Sequence, residues 1–244
     1  MSTNIVLDRW VDLNGWNRAG DALGTQGYGS IYQGSLFVDN NITPNFNPIY
    51  VSDVVVDNNF LVECSISPSD DQSIYFYKKP NDFDISQIGF FNALSFTYFQ
   101  MIFDETGSWW PGGVDSNGNV LSGRDIIFAV RKPGFPPECD YSLNGSVVKD
   151  RFNLYRIGTY EFGSIYRILF GKKEDGTCYG LVYDMTRGTS REVFVGSMES
   201  PCEIPYSTNI SLAIGIGGSA SSSEWAGRYY SRPKILSGIS DEYI

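Results

Sequence analysis

Apolar and polar residues alternate with a period of two in short runs along most of this chain. The clearest run is Phe60–Ser67. Phe60, Val62, Cys64 and Ile66 interleave with Leu61, Glu63, Ser65 and Ser67. Successive side chains of a strand point to opposite faces, so this run predicts a strand with one apolar face and one largely polar face. The same pattern predicts strands over Ile5–Trp10, Ser30–Val38, Tyr50–Val56, Ser73–Lys78, Leu94–Phe103, Phe152–Tyr160, Ile165–Gly171, Cys178–Met185, Arg191–Met198, Asn209–Ile216 and Pro233–Ser237. Asp125–Arg131 is apolar on both faces, as a central strand should be. That makes about thirteen strands. Asp82–Phe91 is the one stretch that suits a short helix or an irregular crossing.

Turn chemistry separates the runs. Asp175-Gly176 and Arg187-Gly188 join consecutive strands of the second half, where glycine supplies positive φ at little steric cost. Longer connections, Asn40–Pro48 and Asp104–Gly123, are rich in Asn, Pro or Gly. In Asn209–Ile216 one face carries Ile210, Leu212, Ile214 and Ile216, and the other carries Ser211, Ala213 and Gly215. Small residues at alternate strand positions predict close packing over that face. No linker, charge run or repeat divides the chain, so one domain over residues 1–244 is expected. Residues 1–49 read as an N-terminal strand and a loop-rich extension packed on it. Many short antiparallel strands fit an all-β fold of two packed sheets better than a small barrel.

Composition narrows the function. The 18 Lys+Arg residues against 28 Asp+Glu give a net charge of −10, and no basic cluster is present. A nucleic-acid partner is therefore not expected, since phosphate binding needs a basic stripe. No apolar run is long enough for a membrane span, and the opening MSTNIVLDRW shows no signal-peptide pattern. Histidine is absent. This removes Ser-His-Asp and Cys-His catalysis and histidine-ligated metals. The four cysteines, Cys64, Cys139, Cys178 and Cys202, form no C-x-x-C pair. Cys64 shares the apolar phase of its strand and reads as a buried thiol. A Cys178–Cys202 disulfide is the alternative that an oxidising compartment would allow.

The C-terminal half runs through consecutive hairpins into ISLAIGIGG, a Ser-rich loop, and EWAGRYYSRPKIL. This end resembles that of concanavalin A-like lectin/glucanase sandwiches, including laminin-G-like modules, over roughly residues 50–240. Leu212, Gly215, Trp225, Gly227 and Ile235 hold the places of that pattern. The resemblance implies a jelly-roll sandwich whose final strand returns beside the first. It also implies roles in carbohydrate binding, glycan hydrolysis, or phage and viral structural proteins. The glucanase branch carries an E-x-D-x-x-E strand motif, which this chain lacks.

Three candidate chemistries remain. In Gly107–Gly113, the adjacent Trp109 and Trp110 cannot both point into one sheet face. An exposed indole is a platform for a sugar ring or a protein partner; the alternative is a lid on the core. Trp225, Tyr229 and Tyr230 form a second aromatic group of the same kind. Asp115, Asn117 and Asn119 place oxygens at alternate positions, which suits calcium. Against an EF-hand reading, Val120 stands at the invariant glycine place and Ile126 at the glutamate place. Carboxylate pairs such as Asp82/Asp84, Asp104/Glu105 and Glu199/Glu203 are available for glycoside hydrolysis but are ordinarily solvated charges.

These features predict a non-catalytic structural or adhesive module displayed on a larger assembly, such as a virion capsid, fibre or tail. It would form a homo-oligomer or bind protein partners at a virion or extracellular surface, in contact with surface glycans. No cofactor is expected beyond a structural calcium. A free carbohydrate-binding lectin is the first alternative, and a glycan hydrolase or lyase the second.

Overall fold

The computed structural model describes residues 59–68, 98–104, 113–135, 150–186, 192–203, 236 and 238 in full. Residues 3–6, 16–18, 29–32, 35–39, 49–54, 72–78, 97, 210–215, 226–229, 234, 235 and 237 are described as strand backbone. Sixteen strands and no helix occur among them. They are β1 (Thr3–Val6), β2 (Trp16–Arg18), β3 (Gly29–Tyr32), β4 (Ser35–Asp39), β5 (Ile49–Val54), β6 (Phe60–Pro68), β7 (Gln72–Lys78) and β8 (Thr97–Asp104). Then follow β9 (Asp125–Arg131), β10 (Phe152–Thr159), β11 (Tyr166–Lys172), β12 (Thr177–Asp184), β13 (Val193–Pro201), β14 (Ile210–Gly215), β15 (Ala226–Tyr229) and β16 (Lys234–Ser237).

The excess over thirteen has a local cause. The run expected over Ser30–Val38 is a hairpin, β3 with β4. Trp16–Arg18 and Ala226–Tyr229 are strands too short for their own period to announce them. The helix considered for Asp82–Phe91 lies outside the described residues.

The strands form two antiparallel sheets. The seven-stranded sheet has the order β10-β9-β8-β7-β14-β5-β2. The nine-stranded sheet runs β13-β12-β11-β6-β15-β4-β3, with β16 pairing both β6 and β1. The closing strand thus returns beside the first, Thr3 opposite Ser237 and Val6 opposite Lys234.

The core lies between the sheets. Phe60, Val62, Cys64 and Ile66 of β6 join Tyr166, Ile168 and Phe170 of β11 and Cys178 and Val182 of β12. Facing them are Phe99, Met101 and Phe103 of β8 and Ile126, Phe128 and Val130 of β9. The alternation predicted for β6 is met: every residue of its apolar phase is fully buried. All seven residues of β9 are buried, as a strand between β8 and β10 requires.

Cys64, Cys178 and Cys202 are free and buried; Cys139 lies outside the described residues. The Cys178–Cys202 disulfide is not formed. Burial, and then the neighbouring Cys202 thiol, push the Cys178 thiol well above its ordinary value, and Cys202 Sγ reaches the Tyr98 carbonyl at 3.7 Å. Burial, and then the neighbouring Glu63 charge, push the Cys64 thiol far above its ordinary range, so it is unreactive.

Candidate functional site

Strand ends bring several loops together at one end of the sandwich. Asp104, the last residue of β8, pairs with Asp125, the first of β9. Thr159, the last of β10, pairs with Asp125 from the other side. Tyr160 N donates to the Arg124 carbonyl at 2.9 Å, which ties the two loops. Below them Phe103 packs its ring on Tyr160 and Tyr166 at 5.4 and 5.9 Å.

Two aspartates organise this end. Asp115 opens a tight turn. Its Oδ1 accepts from the backbone N–H of Asn117 (2.9 Å) and of Asn119 (2.8 Å). Its Oδ2 accepts from Asn119 Nδ2 and from Arg156 N, both at 2.9 Å. Asp125 is wholly buried; its Oδ1 accepts from Arg156 Nε at 2.6 Å. Its Oδ2 accepts from Ser122 N (2.8 Å) and Gly123 N (3.0 Å). Between Gly123 and Asp125, Arg124 has φ of 54°. A non-glycine residue in the left-handed region is strained, and its neighbours hold it there. Arg124 lies over the exposed Phe162 ring, 4.4 Å from its centroid.

The calcium expectation can be tested on the donor set. A carboxylate offers about four lone-pair positions, and at Asp115 four N–H donors occupy them. Asn119 turns its amide nitrogen to the carboxylate, not its oxygen. As folded, Asp115, Asn117 and Asn119 do not fit a cation; the turn is closed by hydrogen bonds. Among the described residues, no three His, Cys, Asp or Glu side chains converge as a metal site.

Burial disfavours the charged Asp115, but the hydrogen bonds from Arg156, Asn119 and Asn117 outweigh it and hold the carboxyl below its ordinary value. A depressed folded value means the carboxylate stabilises the fold above the unfolded pKa, ~3.9, and loses that contribution as pH falls through the folded value. Asp115→Ala is therefore expected to cost roughly 1–2 kcal/mol near neutral pH, with the gap to the parent closing below pH ~3.9. Urea midpoints of both proteins across that range test it; a gap that persists in acid would refute it.

Of the aromatic candidates, Trp109, Trp110, Trp225 and Tyr230 lie outside the described residues. Tyr229 ends β15, where its backbone pairs with Leu36 and Ile66. The segment carrying Trp109 and Trp110 joins Asp104 to Gly113, residues at and beside this end of the sheet. The carboxylates Glu199 and Glu203 have separate tasks: Lys173 Nζ binds Glu199 at 2.5 Å and Gly134 N donates to Glu203 at 3.1 Å.

Sequence reasoning missed Asp125, Arg156 and Gln100. The signal was there, because each is a polar residue inside a run predicted to be buried, and a buried charge needs a partner. Gln100, fully buried on β8, has no hydrogen-bond partner at either amide atom among the described residues. It alternates with the core residues Phe99 and Met101 and pairs with Ala129 and Tyr75. An unpaired buried amide costs on the order of 1–3 kcal/mol unless water or a ligand meets it.

No family model matches this sequence, and no curated protein does. Solved structures do match. A winged bean acidic lectin complexed with methyl-alpha-D-galactose aligns with a TM-score of 0.58 at 13% identity, covering 97% of this chain and 98% of that one. The carbohydrate recognition domain of Emp47p gives 0.54 at 11%, covering 93% and 90%. The exoplasmic/lumenal domain of VIP36 in its Ca2+/Man3GlcNAc-bound form gives 0.53 at 10%, covering 94% and 89%. At such identities the likeness establishes architecture: this chain has the concanavalin A-like jelly-roll sandwich fold that these lectins share.

Proposed function

We propose that this protein is a non-catalytic carbohydrate-binding module whose glycan site lies at the sandwich end built by Asp115, Arg124, Asp125, Arg156 and Phe162, with Trp109 and Trp110, which lie between Asp104 and Gly113 in the sequence, as further candidates. One observation carries the reading: a preorganised Asp–Arg cluster stands next to an exposed aromatic ring at a single end of this fold. Sugar recognition needs both parts, fixed polar groups for hydroxyls and a ring for the apolar face; here the polar groups are the exposed Arg124 and the partly exposed Arg156 guanidinium that Asp125 holds in place. The lectin likenesses support this over the other expectations; two of those lectins were solved with a bound sugar. A calcium ion, as in the VIP36 form, would have to be held by side chains outside the described residues.

A glycan array followed by calorimetry tests the proposal. Phe162→Ala and Trp109→Ala are each expected to weaken the best ligand about tenfold, ~1.4 kcal/mol, with little change in melting temperature. No binding to any glycan at millimolar concentration would overturn it.

Display on a virion, fibre or tail as a homo-oligomer is the finer layer of this reading. Its support is an exposed apolar patch on the edge strand β13, where Phe194 is 54% exposed and its ring lies 5.5 Å from that of Tyr183. Contiguous exposed apolar surface marks contact sites. Light scattering of the purified chain decides between oligomer and monomer, and electron microscopy of the source particle tests display.

A further inference from the structure

Arg156 is bonded at two points, and each point reaches a different part of one loop. Its backbone N–H donates to Asp115 Oδ2 (2.9 Å), which closes the turn at residues 115–119. Its side-chain Nε donates to Asp125 Oδ1 (2.6 Å), whose other oxygen gathers the N–H groups of Ser122 and Gly123. Asp125 is fully buried, while the Arg156 side chain is 30% exposed. A buried carboxylate without a compensating positive charge is costly, and among the described residues the ion pair that Asp125 makes is with Arg156. Among the described residues, neither terminal guanidinium nitrogen of Arg156 has a hydrogen-bond or ion-pair partner. A register shift in β10 between Arg156 and Gly158 lies directly beyond this residue. Such a bulge re-aims the side chain next to it.

We propose that Arg156 is the internal cation of this end of the sandwich: it organises residues 113–125 and makes that loop independent of a metal ion. The assignment of the end as a glycan site rests on the function proposed above; the role of Arg156 in the loop does not. Two jobs usually done by a structural cation are done by one residue, one through its side chain and one through its backbone N–H. The guanidinium neutralises Asp125, and the residue as a whole fastens both ends of the loop. The four donors at Asp115 and the three at Asp125 leave these carboxylates too few lone pairs to ligate calcium without first releasing their protein partners. The carboxylates of Asp115 and Asp125 then take no part in holding calcium for a glycan bound here, and the Arg156 side chain is 30% exposed.

Amide hydrogen exchange of the whole chain tests this locally. Protection at Asn117, Asn119, Ser122 and Gly123 is expected to be the same in excess EDTA and in millimolar calcium chloride. Arg156→Met is expected to lower it about tenfold at Ser122 and Gly123, which bond the Asp125 carboxylate, and less at Asn117 and Asn119, whose acceptor Asp115 keeps the Arg156 backbone N–H, while the β11–β12 hairpin keeps its protection. Arg156→Lys, which retains the charge, is expected to restore part of it. Should Arg156→Met not fold, the lysine variant and the EDTA comparison still decide. Loss of protection in EDTA, or parent-level protection in both variants, would overturn the proposal. These outcomes do not depend on any sugar. Where a glycan ligand is found, equal affinity in EDTA and calcium supports the proposal, and affinity lost in EDTA counts against it. A failure to find any glycan leaves the exchange result standing and removes only the function assigned to the site.

Discussion

Phe99→Ala is expected to lower the stability of the fold by about 3–5 kcal/mol, which for a chain of this size is a drop of roughly 6–20 °C in melting temperature. Phe99 is wholly buried on β8. Its ring meets Phe60 of β6 at 6.1 Å, Phe170 of β11 at 5.7 Å and Phe128 of β9 at 5.9 Å. Two of those strands belong to the facing sheet, so the ring is a direct link across the sandwich. Truncation removes the apolar area, the edge-to-face contacts with Phe170 and Phe128, and leaves a cavity between sheets whose backbones are held by their ladders and cannot collapse fully. Phe99→Leu should recover more than half of the loss. Chemical denaturation of the three proteins measures it; a loss under about 1.5 kcal/mol would mean that the sheets close over the gap.

Gly171→Ala is the second large effect. Gly171 lies on β11 opposite Leu61 of β6 and Tyr179 of β12. A Cβ there would run into the Phe60 carbonyl oxygen and stand 2.8 Å from the Tyr179 hydroxyl. That hydroxyl is already engaged, donating to the same Phe60 carbonyl at 3.1 Å. A methyl group must therefore push apart a backbone and a buried hydrogen bond together. Overpacking of this kind costs about 1–3 kcal/mol, and loss of the buried bond adds about 1–3 kcal/mol. Tyr179→Phe removes the bond and the crowding hydroxyl, and so separates the two parts. If Gly171→Ala costs as much in the Tyr179→Phe background as alone, the backbone clash carries the effect; if the cost falls by half or more, the hydroxyl does. A neutral Gly171→Ala would refute the close approach.

Much of the fold was legible because strand patterning is local. The phase of Phe60–Ser67 follows from its own eight residues, and β9 announced its central place by lacking a polar face. Glycine after Asp175 marked the turn before β12, where Gly176 has φ of 92° and Thr177 N caps the Asp175 carboxylate at 2.8 Å. The likeness of the C-terminal half to concanavalin A-like sandwiches also held at the level of the fold. Strands of three or four residues, such as β2 and β15, escaped because two alternations make no pattern.

The site was less legible. The Asp-x-Asn-x-Asn spacing at residues 115–119 suits both an oxygen cage and a hydrogen-bonded turn, and the direction of one amide, Asn119 Nδ2 toward Asp115, separates them. Asp125 and Arg156 are 31 positions apart, and no local rule connects them. Their meeting requires that β9 and β10 be neighbours in a register that sets Arg156 opposite Ile127, two residues along from Asp125.

By itself, then, the sequence determined the all-β class, the order and phase of most strands and the acidic, histidine-free chemistry, since each follows from residue type and a period of two. Tertiary structure alone decided which strands are neighbours, that the Cys178 and Cys202 thiols meet without bonding, and that one arginine serves two aspartates. Pairing and register are set by burial between segments far apart in the chain, and the partner of a buried charge is chosen there.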